Sequence, residues 1–189
     1  QGQALDVLHR DLTPHNLMVT PSGTLKIIDF GIATTGASQT LLQQRSVKGK
    51  TTYLSPECAL QKQQDRRSDV YTLGVVGVEL LTGERIQRVH PSATHAPPFE
   101  LKRADVPEAL VRVLERATAN ERSTRWRTAA ELEAALAPFW LPHQDRVQHD
   151  TAALIQSVVG PVLEARRAHY RAMKRHHRIP LTTLHGRPW

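Results

Sequence analysis

The sequence predicts a mainly α-helical domain that carries one small β-hairpin. Two short apolar runs, Leu17–Val19 and 25–28, flank Thr20-Pro21-Ser22-Gly23, whose proline and glycine are typical of a tight turn. Residues 68–82 are apolar on nearly every face and are followed by Gly83, a pattern that indicates a buried helix closed by glycine. The hairpin therefore precedes a helical body in the chain.

Two further helices are indicated by capping signals. The first is expected to start with Asp105 as its N-cap, with Glu108 completing a capping box. The second is expected to start at Thr128, with Glu131 in the equivalent position. Residues 32–54 are rich in Thr, Ser, Gln and Gly and predict a long surface loop, which in a compact domain is usually functional.

Composition indicates a globular protein. The 189 residues are 40% hydrophobic with a mean hydropathy of -0.41, and no apolar run reaches the length of a bilayer span. The single Cys58 excludes an internal disulfide and fits a reducing compartment, so we expect a cytoplasmic protein without a membrane span. The first residue is Gln1 rather than Met, and we therefore expect a fragment of a longer protein.

The positive charge is concentrated in the C-terminal tail. Residues 1–139 hold 17 Lys/Arg against 15 Asp/Glu, whereas residues 140–189 hold 8 against 3. A basic helix is expected over 162–175, bounded by Gly160-Pro161. Such a helix could contact nucleic acid or dock on the domain itself, but it contains one aromatic residue, Tyr170, and no nucleic-acid motif. We therefore expect a solvated face rather than a nucleic-acid partner.

Three short motifs point to a chemistry. They are, in order, His9-Arg10-Asp11 with Asn16 five residues after Asp11, then Asp29-Phe30-Gly31, and then Ser55-Pro56-Glu57. In this order and spacing they resemble the catalytic core of the eukaryotic-like (Hanks-type) bacterial serine/threonine protein kinases.

The resemblance implies a fold and a division of the chain. Residues 1–139 resemble the C-terminal lobe of a protein kinase, that is, the α+β kinase fold lacking its N-lobe. Residues 140–189 are then a basic, partly helical tail. The Gly-rich loop and the strand lysine that such kinases use to hold ATP have no counterpart in this sequence, so we expect the chain alone to be inactive.

The resemblance also implies the residues of an active site that uses ATP and Mg²⁺. Asp11 matches the aspartate that orients the substrate hydroxyl, and Asn16 and Asp29 match the two magnesium ligands. Met18 matches the side chain that lies beneath the adenine ring. Supporting roles are implied for His9, Phe30, Gly31, Asp69, Glu57 and Arg125, the last two as a partly buried ion pair.

A regulatory switch is implied by Arg10. An arginine next to the catalytic aspartate is typical of kinases that are activated by phosphorylation of the loop after Gly31. Ser46 stands at the usual acceptor position, with Thr40, Thr51 and Thr52 as alternatives. The other interpretation is that Ser46 is an ordinary loop serine.

One departure from the family pattern concerns Thr13 and Lys50. Most serine/threonine kinases have a lysine where this chain has Thr13, and a threonine where it has Lys50. We hypothesise that the Lys50 ammonium takes over the contact with the transferred phosphate. The alternative is a solvated Lys50 and a locally adjusted loop.

The function expected is transfer of the γ-phosphoryl group of Mg-ATP to a serine or threonine of an unidentified protein. The alternative is a non-catalytic pseudokinase, scaffold or interaction module with a basic tail. Retention of Asp11, Asn16 and Asp29 argues against that alternative, because a scaffold has no chemical need for all three.

Overall fold

The computed structural model describes residues 8–30, 51–86 and 105–176. In these ranges the chain is mainly α-helical with one two-stranded sheet, as the sequence predicts. The strands are β1 (Leu17–Val19) and β2 (Leu25–Ile27). The helices are α1 (Pro56–Ala59), α2 (Arg66–Thr82), α3 (Glu108–Ala117), α4 (Ala129–Trp140) and α5 (Gln144–His176).

The chain divides into two compact units. The first comprises Gln1–Met18 and Leu25–Gln144, and the second comprises Val19–Thr24 and Asp145–Trp189. The second unit thus contains the tip of the hairpin and almost all of α5. A domain boundary at residue 139 stays a prediction.

The hairpin forms where its turn residues predict it. The Gly23 amide donates to the Thr20 carbonyl, and the Thr20 amide donates to the Thr24 carbonyl, both at 2.9 Å. Gly23 has a φ of 78°, a left-handed conformation that glycine adopts without steric cost. At the other end the Ile28 amide donates to the Asn16 carbonyl at 2.9 Å, so the pairing continues past β1 and β2.

Helix α2 is the buried helix that the sequence predicts, and it begins two residues earlier than residue 68. The Asp65 side chain caps it by accepting from the Arg67 amide at 2.9 Å. Gly83 ends it at a φ of 69°, donating its amide to the Glu79 carbonyl. The helix has no polar face of its own, because residues all around it are buried: Ser68, Val70, Tyr71, Gly74, Val75, Val76 and Val78.

Two apolar clusters use different sides of α2. The first joins Val75 and Tyr71 to Tyr53, with Leu17 and Ile86 packed against them. The second joins Val70 of α2, Ala117 of α3 and Leu132 of α4, with four partly buried neighbours: Leu73, Val113, Trp126 and Leu136. Helix α2 therefore connects the hairpin side of the first unit to its helical side.

The expected start of α3 at Asp105 is wrong. The helix begins at Glu108, and its N-cap residue is Pro107, which makes no side-chain capping bond. The Pro107 carbonyl accepts from the amides of Leu110 and Val111. The residue before a proline is sterically pushed out of the helical region, so Val106 lies outside the first turn and the helix starts after Pro107.

Helix α4 begins as predicted, with Thr128 accepting a hydrogen bond from the Glu131 amide at 3.1 Å. The capping box is modified, because the Glu131 carboxylate accepts from the Arg127 amide at 2.8 Å. The first turn is still closed by a reciprocal pair of side-chain contacts.

The expected helix boundary at Gly160-Pro161 is also wrong, because α5 runs without interruption from Gln144 to His176. Proline fixes φ near the helical value and removes one donor, the one that would bond to the Ser157 carbonyl. The helix tolerates the loss of this one hydrogen bond because it has several regular turns on each side of Pro161. None of the helices in the described ranges has the length and apolar character needed to cross a membrane.

We expect Gly74→Ala to destabilise the protein, although alanine normally stabilises a helix interior. A β-carbon at Gly74 would lie 2.7 Å from Thr118 Cγ2 and 2.9 Å from the β-carbon of Ala117, which belongs to the tightly packed α2–α3 contact. The expected cost is about 1–3 kcal/mol, measured as the free energy of urea unfolding.

Gly77→Ala, one turn further along α2, is the matched control. There the added β-carbon would meet Leu114 Cδ2 at 2.9 Å, the far end of a flexible side chain that can rotate. We expect a smaller effect than at Gly74. An equal or larger loss of stability at Gly77 would contradict this account of the packing.

Candidate functional site

The His9–Asn16 loop is held by the start of α2. The amides of His9 and Arg10 donate to the two carboxylate oxygens of Asp69, at 2.7 and 2.8 Å. Both oxygens of one side chain are thus used to fix two successive peptide groups. Arg10 has a φ of 65°, a conformation that costs a non-glycine residue about 1–3 kcal/mol and that these two bonds stabilise.

The His9 ring links this loop to the chain after β2. Its Nε2 lies 3.0 Å from the Ile28 carbonyl, and its Nδ1 accepts from the Asp11 amide at 3.3 Å. These contacts assign the proton to Nε2. The ring is buried and lies 4.8 Å from the ring of Phe30, centroid to centroid, while Phe30 itself is largely exposed.

Asp11 and Asn16 are in direct contact. Asn16 Nδ2 donates to the Asp11 backbone carbonyl at 2.8 Å and to the carboxylate oxygen Oδ2 at 3.0 Å. The buried Asn16 amide is therefore oriented by Asp11, and its Oδ1 is the atom directed away from these bonds. An amide oxygen in this position is a suitable ligand for a hard cation.

A backbone hydrogen bond places Asp29 near Asp11 and Asn16. Asp29 directly follows Ile28, whose amide donates to the Asn16 carbonyl. Asp29 is exposed and has a φ of 54°, which makes it the second left-handed non-glycine residue of the site after Arg10. One exposed carboxylate beside one oriented amide oxygen fits the oxygen-donor preference of magnesium. Within the described ranges no group of three or more His, Cys, Asp or Glu side chains could hold a metal ion.

The β-strands next to this site expose apolar side chains. Met18, Leu25 and Ile27 are all exposed, and Phe30 continues the patch beyond β2. Single exposed apolar residues are common, but three on one short hairpin, with Phe30 soon after it, indicate a surface that another group covers.

Thr13 lies in a small cavity beside Asp11. Its side chain is buried and its hydroxyl has no hydrogen-bond partner among the residues that the structure describes. The cavity has a volume of about 20 Å³, and Tyr53 and Ser55 contribute to its wall. A buried hydroxyl without a partner costs about 1–3 kcal/mol, so this one is ready to accept a donor.

A buried ion pair fixes the segment that carries Ser55-Pro56-Glu57. Arg125 Nη1 and Nη2 donate to Glu57 Oε1 and Oε2 at 2.8 and 2.9 Å, so the ion pair is bidentate. The Arg125 side chain is fully buried. Its remaining donors reach backbone carbonyls of Arg67, Ala119 and Asn120, so every side of the guanidinium is satisfied.

Burial by itself raises the pKa of Glu57, but the hydrogen bonds from Arg125 and Ser68 and the charge of Arg125 outweigh it and lower the pKa to about 2. The Ser68 hydroxyl donates to Glu57 Oε1 at 2.6 Å, which ties the pair to α2 as well. Sequence reasoning missed Ser68, because eleven residues separate it from Glu57 and no periodicity relates the two.

Tyr53 is a second contact that sequence reasoning missed. Its hydroxyl donates to Glu79 Oε2 at 2.6 Å, and Glu79 Oε1 accepts from the Ile86 amide at 3.0 Å. Burial, and then the hydrogen bond to Glu79, raise the pKa of Tyr53. In the sequence, Tyr53 is only a tyrosine two residues before Ser55. Nothing local identifies its hydrogen-bond partner, which lies 26 residues away.

Three of the sequence-predicted site residues lie outside the described residues: Gly31, Ser46 and Lys50. The alternative acceptor Thr40 lies there too. The described structure brings together five of them around the His9–Asn16 loop: His9, Asp11, Asn16, Phe30 and Asp69. It also pairs Glu57 with Arg125, and Glu57 is linked to this loop through Ser68, the residue before Asp69.

We expect the Glu57–Arg125 pair to give the protein an acid-sensitive stability. The folded-state pKa of Glu57 is about 2, below its ordinary value of 4.5. A depressed pKa stabilises the folded state above pH 4.5, and this stabilisation is lost as the pH falls from about 4.5 towards 2. The difference corresponds to roughly 3 kcal/mol of unfolding free energy at neutral pH.

The measurement is urea unfolding at a series of pH values for the wild type and Glu57→Gln, with exposed Glu133→Gln as the control. Glu57→Gln should lose about 3–5 kcal/mol at pH 7, because Arg125 stays buried without a counter-charge. Its stability should then fall less steeply below pH 4.5. Adding Arg125→Met should recover part of the loss, and a double variant no more stable than the single one would contradict the ion-pair account.

The family model and the relatives that match this chain are all protein kinases. The family model described as protein kinase domain matches residues 4–173. The serine/threonine-protein kinase PrkC of Bacillus subtilis is 36% identical over 142 residues, which are 68% of this chain and 21% of PrkC. The tyrosine-protein kinase MasK of Myxococcus xanthus is 40% identical over 153 residues, which are 75% of this chain and 23% of MasK.

A solved structure agrees with this. The kinase domain of PknI from Mycobacterium tuberculosis, in a form with one cysteine replaced by alanine, superposes with a TM-score of 0.51 at 26% identity, covering 70% of this chain and 45% of that one. The chain spans about a fifth of the length of the curated relatives it matches. The family match over residues 4–173, together with the geometry around Asp11, Asn16 and Asp69, leads to one conclusion: the chain belongs to the protein kinase domain family.

Proposed function

We propose that this chain carries the phosphoryl-transfer site of a protein kinase and that Asp11 orients the hydroxyl of the substrate. The observation that carries the proposal is the direct contact between Asp11 and Asn16 in a loop anchored by Asp69. Phosphoryl transfer depends mainly on positioning, and this network fixes the direction of the Asp11 carboxylate before any substrate arrives.

In this proposal Asn16 and Asp29 hold Mg²⁺ and Met18 contacts the adenine of ATP. The oriented amide oxygen of Asn16 and the exposed carboxylate of Asp29 supply hard oxygen ligands. Bound magnesium would neutralise charge on the phosphates of ATP. The exposed apolar patch of the hairpin supports a covering surface on this side.

We further propose that the chain corresponds to the C-terminal lobe alone and is inactive by itself. PknI matches this chain over 45% of its kinase domain, which supports the view that part of a kinase domain is represented. Without an N-lobe, ATP would be held from one side, and its phosphates would lack the Gly-rich loop and strand lysine of the family. A cytoplasmic location is proposed on the basis of the reduced, buried Cys58.

Thr13 and Lys50 are proposed as a pair in which the usual lysine and threonine have exchanged positions. The buried Thr13 hydroxyl, which has no partner in the described part of the chain, supports this because an ammonium group is a matching donor. Arg10 with Ser46 is proposed as a phosphorylation switch, in which a phosphate on Ser46 would pair with the guanidinium beside Asp11.

The proposed acceptors are serine and threonine rather than tyrosine. Among the relatives, PrkC is named a serine/threonine kinase and MasK a tyrosine kinase, and the two match this chain at similar identity. The acceptor is therefore tested directly by phosphoamino-acid analysis of any phosphorylated protein.

The first test concerns Asp11. A chimera in which the N-terminal lobe of PrkC is fused to the amino end of this chain should bind Mg-ATP and phosphorylate a general protein substrate. The 189-residue chain alone should do neither. Asp11→Asn in the chimera should lower kcat by about 100-fold or more, because the substrate hydroxyl loses its orienting base. Exposed Asp145→Asn is the matched control and should leave kcat unchanged.

Two results would contradict the proposal. One is robust turnover by the 189-residue chain that Asp11→Asn abolishes, which would show that no N-lobe is needed. The other is a chimera that binds Mg-ATP but is equally active with aspartate or asparagine at position 11, which would remove Asp11 from the chemistry.

The second test is the Thr13/Lys50 exchange. In the active chimera Lys50→Thr should lower kcat by at least about tenfold, because the cation near the transferred phosphate is lost. Adding Thr13→Lys to Lys50→Thr should restore most of the rate by returning the usual family arrangement. Strictly additive losses in the double variant would show that the two residues act independently.

A further inference from the structure

Helix α5 carries an exposed apolar stripe. Val147, Leu154, Val158 and Val162 are 51%, 61%, 67% and 54% exposed, respectively. At about 100° per residue, all four side chains leave the helix within an arc of about 80°. Large apolar side chains aligned over more than four turns are rare on a free surface and indicate an interaction site.

The spacing of the stripe is the same from both ends. The stripe lies on one helix face whose successive positions are separated by 4, 3, 4, 4, 3 and 4 residues, a spacing typical of a helix–helix seam. These positions are the four apolar residues together with Thr151, Ala165 and His169. Val158 is the centre of this palindrome. A self-symmetric stripe is what a two-fold interface needs, because each residue then meets its mirror position on an identical helix.

The charges of α5 specify the direction of such a pairing. Residues 144–158 hold Arg146 against Asp145 and Asp150, a net charge of -1. Residues 159–176 hold five Lys/Arg against Glu164, a net charge of +4. A parallel pair would place the two basic halves together, whereas an antiparallel pair places each basic half beside the acidic half of the other helix.

We propose that α5 pairs antiparallel with the same helix of a second copy of this chain, with Val158 at the two-fold axis. Val158 then packs against its own equivalent, and Leu154 packs against Val162 of the other copy. The seam from Val147 to His169 is about 33 Å long, which is sufficient for a stable helix pair. This inference is independent of the proposed kinase activity.

Sedimentation equilibrium of the 189-residue chain tests the pairing. We expect a monomer–dimer equilibrium whose dissociation constant rises at least about tenfold in Val158→Asp, since two carboxylates would face each other at the axis. Gln156→Asp is the matched control: it adds the same charge two residues away, on the opposite face, and should leave the equilibrium unchanged. Circular dichroism checks that both variants keep their helix content.

Oxidative cross-linking tests the direction. In a Cys58→Ala background, Val158→Cys should form a disulfide-linked dimer, whereas Leu154→Cys should not. In the antiparallel pair the two copies of residue 154 are separated by about 12 Å along the axis, and in a parallel pair they would be adjacent.

Each contrary outcome overturns the proposal. A chain that is monomeric at every accessible concentration would show that the stripe contacts its own chain or a different partner. Equal sensitivity of the dimer to Val158→Asp and Gln156→Asp would place the interface elsewhere. Efficient cross-linking of both cysteine variants would indicate a parallel pair.

Discussion

The buried pair of Arg125 and Glu57 is the constraint on which the first unit depends. A guanidinium without solvent contact is stable only when each donor is satisfied, and here the carboxylate and three backbone carbonyls do so. The pair joins the first turn of α1 to the turn before α4, and Ser68 adds the start of α2. Breaking one side would leave a charge in the core.

The start of α2 links this ion pair to the candidate site. One residue after Ser68, Asp69 uses both carboxylate oxygens to hold the His9 and Arg10 amides, and the loop then presents Asp11 to Asn16. The left-handed backbone of Arg10 is retained because its amide and that of His9 are both held by Asp69. Ser68, which contacts the ion pair, and Asp69, which holds the loop of the candidate site, are therefore neighbours in the first turn of one buried helix.

The second unit is characterised by exposed apolar residues rather than by a buried ion pair. Helix α5 has no ion pair like that of Arg125 in its described part, and its character comes from apolar residues on an exposed face. The sequence alone suggested a short basic helix after Pro161, because proline is normally a boundary signal. Because α5 is uninterrupted, its apolar stripe continues across Pro161 and is centred on Val158, three residues before the proline. A helix boundary at Pro161 would have divided this stripe.

Local patterns in the sequence determined the hairpin, the buried helix and the start of α4, because turn residues, apolar content and caps act within a few positions. The spacing of motifs also indicated Asp11, Asn16 and Asp29 as candidates for one site. The tertiary structure decided the partners: Ser68 for Glu57, Glu79 for Tyr53, and none among the described residues for the Thr13 hydroxyl. Such contacts depend on how separate elements pack, and no local period in the chain records that packing.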